Sequence, residues 1–69
     1  MDIIETLAGE FKLKRSQVEQ TVNLIDDGNT IPFIARYRKE ATGGLSDEIL
    51  RDLDERLSYL RGLEERKEE

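Results

Sequence analysis

Apolar residues recur at steps of three and four along most of the chain, the spacing that places side chains on one face of an α-helix. The first stripe consists of Ile3, Ile4, Leu7 and Ala8. Asp2 precedes this stripe and Glu5 stands three residues later, a pair typical of a helix N-terminus. The pattern therefore predicts a short amphipathic helix over residues 2–10.

A second stripe follows a mostly basic connector at residues 12–15, and it consists of Val18, Val22 and Ile25. Ser16 and Glu19 have the S-x-x-E spacing of a capping box, which favours a helix start at Ser16. Gly28 follows the point where the periodicity stops, and a glycine there can adopt the left-handed conformation that closes a helix. We expect the second helix to end near Asp27.

The third predicted helix begins at a proline. Thr30 precedes Ile31 and Pro32, and proline is favoured in the first turn because its missing N–H would have had no partner there. This helix should run over residues 31–40. Gly43 and Gly44 follow and predict a flexible turn between helices. A phosphate-binding loop is not indicated, because it would require a G-x-x-x-x-G-K pattern after a strand, and neither is present in the sequence.

The fourth predicted helix is the longest and runs from residue 46 to about residue 66. Ser46 supplies its cap, and Asp47 and Glu48 supply acids in its first turn. Its apolar stripe consists of Ile49, Leu50, Leu53, Leu57, Leu60 and Leu63. At ~1.5 Å per residue the helix is roughly 30 Å long, whereas a compact chain of this size has a radius of gyration of about 11 Å. We expect its last turns to be poorly covered.

These elements predict an all-α fold, a small bundle of four helices forming one domain over residues 1–69. A chain of 69 residues is short for one domain and too short for two. A hydrophobic content of 36% with 39% charged residues and one proline is typical of a helical module with a large surface. Helices two to four should pack around a core of Val22, Ile25, Phe33, Ile34, Leu53 and Leu57.

Composition excludes several kinds of chemistry. The chain has no cysteine and no histidine, so disulfides, thiol chemistry, imidazole acid–base catalysis and the usual zinc ligands are excluded. Asp26 and Asp27 are adjacent and point to different faces of a helix, and no carboxylate pair has a catalytic spacing. We expect no catalytic residue, no metal, no cofactor and no enzyme activity. The absence of a long apolar run predicts no membrane association and a cytoplasmic location.

One segment combines aromatic and basic residues in a way that can serve nucleic acid. It lies in the third predicted helix, and its cations are Arg36, Arg38 and Lys39. At about 100° per residue, however, Phe33 and Tyr37 share an arc with Ile34, so we expect both rings in the core. Arg36 has two open uses, a phosphate backbone or an ion pair with Glu40 four residues later.

Three further cations, Lys12, Lys14 and Arg15, form a second candidate group for nucleic-acid binding. Their alternative role is a solvated connector, and the net charge of −5 counts against broad binding of polyanions. Arg56 lies near the edge of the leucine stripe, where an unpaired charge would be costly if buried. Its partner is either Asp52 or Glu55 nearby, or a group from another part of a larger protein.

The run GNTIPFIARYRKEATGGL at residues 28–45 closely resembles the G-N-T-[IV]-P-F-I-A-R-Y-R-K-E-x-T-G-G-L signature near the start of Tex-family proteins. The preceding SQVEQTVNLIDD resembles the helix before that signature, and LDERLSYLRGLEERKEE resembles the leucine-spaced helix after it. The resemblance covers essentially the whole chain. It places Arg36, Arg38 and Lys39 at the basic positions of the signature, and no established catalytic residue lies within it.

The resemblance implies a fragment of a longer protein, with a RuvC/YqgF-like nuclease domain, helix-hairpin-helix elements and a C-terminal OB-type RNA-binding domain after it. The family is associated with transcription and nucleic-acid binding. Expected partners are therefore the downstream domains of the same chain, RNA or DNA through the full-length protein, and the transcription machinery. We expect a non-catalytic docking scaffold; the alternative is an independent nucleic-acid-binding module. Self-association along the fourth helix is also open, because its leucines are poorly covered.

Overall fold

The computed structural model describes residues 2–67, with side chains described as far as residue 64. The helices are α1 (Ile3–Phe11), α2 (Arg15–Asp26), α3 (Ile31–Tyr37), α4 (Lys39–Thr42) and α5 (Asp47–Lys67). No strand occurs among these residues, so the predicted all-α fold is confirmed. The radius of gyration is 11.8 Å, and the longest extent of 39 Å exceeds the other two because α5 is so long.

Short polar side chains begin most helices where the sequence predicts them. Asp2 Oδ1 accepts from the Glu5 N–H at 3.2 Å. Thr30 Oγ1 accepts from the N–H three residues later at 3.3 Å, and Ser46 Oγ does the same for α5 at 3.3 Å. Gly28 has a φ of 92° and follows the last turn of α2, as expected from a closing glycine.

The predicted capping box of Ser16 and Glu19 is wrong. The chain leaves α1 through Lys12, whose φ is 56°, and re-enters a helix at Arg15. Ser16 is therefore already inside the first turn and cannot cap it. Gln17 has this role instead, because its Oε1 accepts from the Lys14 N–H at 3.0 Å.

The third predicted helix is also wrong in its length, because Arg38 interrupts it with φ −127° and ψ 36°. The interruption divides the segment into α3, which packs on α5, and α4, which packs on α2. Gln17 Nε2 donates to the Thr42 carbonyl oxygen at 3.0 Å, and the buried Thr42 Oγ1 accepts from the Leu45 N–H at 3.3 Å. One uninterrupted straight helix over residues 31–42 could not pack its first part on α5 and its last part on α2.

The core consists of two connected clusters. The larger cluster joins α1, α2 and α5 and contains Leu7, Ala8, Val18, Val22, Leu53, Leu57 and Leu60. The smaller cluster joins α3 to the start of α5 and contains Ile34, Leu45 and Leu50. Leu13 and Ile25 are partly buried and pack against both.

Four of the six predicted core residues are buried, namely Val22, Ile34, Leu53 and Leu57, and Ile25 is half-buried. Phe33 is exposed, so its assignment to the core is wrong. The prediction also omitted α1, which contributes Leu7 and Ala8 to the larger cluster. The leucines of the α5 stripe are buried as far as Leu60. Ile49, which the pattern placed in this stripe, is exposed, and Leu63 is also exposed, which agrees with the expected poor cover of the last turns.

Candidate interaction surfaces

The aromatic–cation surface is formed by Phe33, Arg36, Tyr37, Arg38 and Lys39 on α3 and α4. Phe33 is 36% exposed and Tyr37 is 57% exposed, so the expectation that these rings are buried is wrong. Their side chains lie on one flank of Ile34, which is buried against the start of α5, and no described element packs over that flank. The two ring centroids are 5.2 Å apart with planes tilted by 47°, a favourable aromatic arrangement.

The three cations of this surface differ in their surroundings. The Arg38 guanidinium lies 5.4 Å from the centroid of the Phe33 ring, within range of a cation–π interaction. The side chains of Arg36 and Lys39 are exposed and have no ion pair or hydrogen bond with any other described residue. The possible pair of Arg36 with Glu40 does not form, because the break at Arg38 removes the helical spacing between them.

A shallow groove of about 530 Å³ runs along this surface. It is lined by Pro32, Phe33, Ala35, Arg36, Tyr37, Lys39 and Asp47. Its one carboxylate, Asp47, lies 3.8 Å from Arg51 on the next turn of α5. The groove thus combines two aromatic rings with two cations that have no described partner.

The second candidate group does not form one basic site. Arg15 Nη1 is 2.9 Å from Asp2 Oδ2 and 2.6 Å from Glu5 Oε2, and these hydrogen bonds raise the pKa of Arg15. Lys14 is exposed and lines a different groove, beside α4. Lys12 is exposed at the end of α1. The structure therefore separates the three residues, and only the two lysines are without a described carboxylate partner.

Arg56 pairs with neither of its two predicted partners. Its Nε and Nη2 donate to the two carboxylate oxygens of Glu10 at 2.8 and 2.9 Å, and its guanidinium lies 4.9 Å from the Tyr59 ring centroid. Arg61 makes the same two-point contact with Asp26 at 2.9 Å for both bonds. These contacts tie α5 to α1 and to α2. Sequence reasoning missed both carboxylates, since nothing local marks a partner 46 or 35 residues away.

These ion pairs predict that acid destabilises the fold. The pKa values of Asp2, Glu10 and Asp26 lie below their ordinary values, chiefly because each carboxylate accepts a hydrogen bond from an arginine. A lowered folded-state pKa means that the unfolded chain binds more protons. The stabilisation is therefore complete above the ordinary carboxylate range, about pH 4, and is lost as the pH falls through the lower folded-state values. Circular dichroism melts should show Tm falling below about pH 4.

Two variants separate this effect from general charge repulsion. Arg61→Gln should flatten part of the decline of Tm with acid, because Asp26 loses its partner. Arg36→Gln should leave the decline unchanged, since Arg36 has no carboxylate partner among the described residues. An Arg61→Gln profile parallel to that of the original chain would contradict the prediction.

The α5 strip is formed by Ile49, Tyr59 and Leu63, which are 39%, 55% and 36% exposed. At about 100° per residue these side chains fall within an arc of about 80° on one flank of the buried stripe. Arg56 lies between them along the helix and is held to α1 by Glu10. The exposed Asp52 falls within the same arc, so the strip consists of separate apolar side chains with polar groups between them, beside the buried face of α5.

In the part of the chain that the structure describes, no three His, Cys, Asp or Glu residues form a group that could hold a metal ion. None of the described helices is both long and apolar enough to cross a membrane. The features that stand out are an aromatic–cation surface, an apolar strip and helices joined by ion pairs. They define the class of small all-α domains.

The chain belongs to the family of Tex-like protein N-terminal domains, whose profile matches residues 1–69. It is 61% identical to Protein YhgF of Escherichia coli K12 over 62 residues, 90% of this chain and 8% of that protein. It is 58% identical to the transcriptional accessory protein Tex of Neisseria gonorrhoeae over 67 residues, 97% of this chain and 9% of that protein. The resemblance predicted from residues 28–45 is confirmed.

More distant relatives include the human S1 RNA-binding domain-containing protein 1. The chain is 34% identical to it over 62 residues, which are 90% of this chain and 6% of that protein. The chain thus spans less than a tenth of the length of each of these relatives.

Proposed function

We propose that this chain is the N-terminal helical module of a longer Tex-type transcription accessory protein of the cytoplasm. In this proposal it is a non-catalytic scaffold that docks against downstream domains of its own protein, which binds RNA or DNA and meets the transcription machinery. The names of the relatives support the transcription context, and the human relative's name supports RNA binding by the whole protein. The single observation that carries the docking role is the α5 strip.

A tethered domain is the partner that suits this strip. Three large apolar side chains on one helix flank form a small contact area, which alone gives weak association. A covalent link raises the effective concentration of the partner to the millimolar range, so a weak contact can remain closed. Relatives at least ten times longer than this chain supply such domains. The Arg56–Glu10 pair beside the strip gives it a polar border, as is usual at protein interfaces.

The proposal is tested by adding the chain to Protein YhgF from which the matching segment has been removed. The 61% identity makes this a close substitute for the native partner. We expect isothermal titration calorimetry to detect binding, and NMR to show the largest shifts along α5. Leu63→Ser should weaken binding about tenfold or more, because truncating an apolar residue that anchors an interface costs about 1.4 kcal/mol or more.

Phe33→Ser is the matched control, because Phe33 has the same exposed fraction as Leu63 but lies outside the strip. It should leave the affinity within about twofold of the original. Absence of binding would contradict the proposal, as would equal losses in both variants. Sedimentation of the chain alone as a dimer that Leu63→Ser dissociates would assign the strip to a second copy instead.

A further inference from the structure

We propose that the aromatic–cation surface of α3 and α4 binds single-stranded nucleic acid. Bases would stack on Tyr37 and Phe33, and Arg36 and Lys39 would contact phosphates. This site lies on different helices from the α5 strip, so it does not depend on the docking role. It also uses the two rings that the sequence pattern had assigned to the core.

The exposure of the rings is the first observation behind this proposal. Tyr37 has more than half of its surface in solvent, and the partly exposed Phe33 ring lies beside it. Arg38 already stacks against the Phe33 ring, and a guanidinium in that position can also stack on a base. Aromatic platforms of this kind bind single strands with little sequence preference, because every base has a π-face.

The unpaired cations are the second observation. The chain has 16 acidic and 11 basic residues, so a cation can readily find a carboxylate. The arginines on the other helices whose side chains the structure describes each do so, and these are Arg15, Arg51, Arg56 and Arg61. Arg36 and Lys39, by contrast, have no described carboxylate partner. Their charges remain available to an anion that arrives from outside.

The distribution of charge is the third observation. Residues 28–45 contain three cations and one carboxylate, whereas the chain as a whole has a net charge of −5. The groove itself is lined by the cations Arg36 and Lys39 and by one carboxylate, Asp47, so it is a weakly positive region on an acidic protein and favours a polyanion at this face. An acidic peptide would satisfy the cations alone. A single strand satisfies the cations and the rings together, so nucleic acid is the occupant that fits the whole surface.

The first experiment measures fluorescence anisotropy of labelled ten-nucleotide oligo(U) RNA and oligo(dT) DNA with the 69-residue chain. Both should bind with similar affinity, because stacking and phosphate contacts do not require a 2′-hydroxyl. Two or three phosphate contacts to a single strand should weaken binding roughly 7- to 18-fold between 50 and 200 mM salt. A duplex of the same length should bind more weakly, because its bases are already stacked.

Variants at Tyr37 separate stacking from charge. Tyr37→Leu should weaken binding at least about fivefold, and Tyr37→Phe should restore it, because only the ring is needed. Tyr59→Leu is the matched control, since Tyr59 is equally exposed but lies in the α5 strip. Arg36→Gln should reduce both the affinity and the salt dependence, whereas Arg61→Gln, which removes the same charge outside the groove, should change neither by more than about twofold. Tm values confirm that each variant is folded.

Three results would overturn the proposal. The first is no binding of either oligonucleotide at 50 mM salt. The second is an unchanged affinity for Tyr37→Leu, which would show that the rings do not stack on bases and that the surface binds any polyanion. The third is competition by polyglutamate as effective as that by unlabelled oligo(U), which would make this face a docking site for acidic protein segments.

Discussion

Replacing Leu53 by alanine should leave most of the chain unfolded at 25 °C. Leu53 is fully buried in the first half of α5 and belongs to the cluster that joins α5 to α1 and α2. Truncating such a leucine costs about 2–5 kcal/mol, because apolar burial is lost and a cavity remains. A single core in a chain of this size rarely supplies more than about 3–5 kcal/mol in total. The loss is therefore comparable with the whole free energy of unfolding.

Urea titration followed by circular dichroism measures this effect, with Ile49→Ala on the same helix as the control. Ile49 is exposed and lies outside both core clusters, so its truncation should cost less than about 1 kcal/mol. An equal loss in the two variants would mean that α5 is not held by the buried stripe. A loss under 1 kcal/mol for Leu53→Ala would place the core elsewhere.

Gly43→Ala should destabilise the fold by about 2–3 kcal/mol. Gly43 ends α4 with a φ of 78°, a left-handed conformation that costs roughly 1–2 kcal/mol for a residue with a Cβ atom. The added Cβ would also collide with the side-chain amide of Gln17. That amide donates to the Thr42 carbonyl oxygen, so displacing it removes a hydrogen bond between α2 and α4 worth about 0.5–1.5 kcal/mol.

A double-mutant cycle with Gln17→Ala separates the two causes. In the Gln17→Ala background, Gly43→Ala should cost only the backbone strain, and the measured coupling should be about 0.5–1.5 kcal/mol. Urea midpoints of the four proteins give this value. Strict additivity would show that the collision with Gln17 has no energetic consequence and that strain alone accounts for the loss.

Local sequence signals predicted the helices well. Asp2, Thr30 and Ser46 cap the helices they precede, because a cap needs only a short polar side chain and an N–H three residues later. The stripe of α5 also predicted which of its leucines are buried as far as Leu60. The cap predicted at Ser16 was wrong because the local S-x-x-E pattern does not fix where α2 begins. That start depends on how the chain leaves α1 through Lys12.

The sequence identified the cations of the aromatic–cation surface, but it did not predict that the two aromatic rings beside them are exposed. Arg36, Arg38 and Lys39 were identified from their place among aromatic residues, and all three are exposed. The exposure of Phe33 and Tyr37 could not be predicted, because helical spacing gives the relative directions of side chains and not which direction another helix covers. For the same reason the contribution of α1 to the core could not be predicted.

The all-α class, most helix boundaries and the family could be predicted from the amino-acid sequence, because capping, periodicity and a contiguous signature depend on residues close together in the chain. The break at Arg38, the partners of Arg56 and Arg61, and the exposed face of α3 became visible only in the folded chain. Those features depend on contacts between helices up to 46 residues apart. Such contacts form only where packing brings the helices together, and no local pattern encodes them.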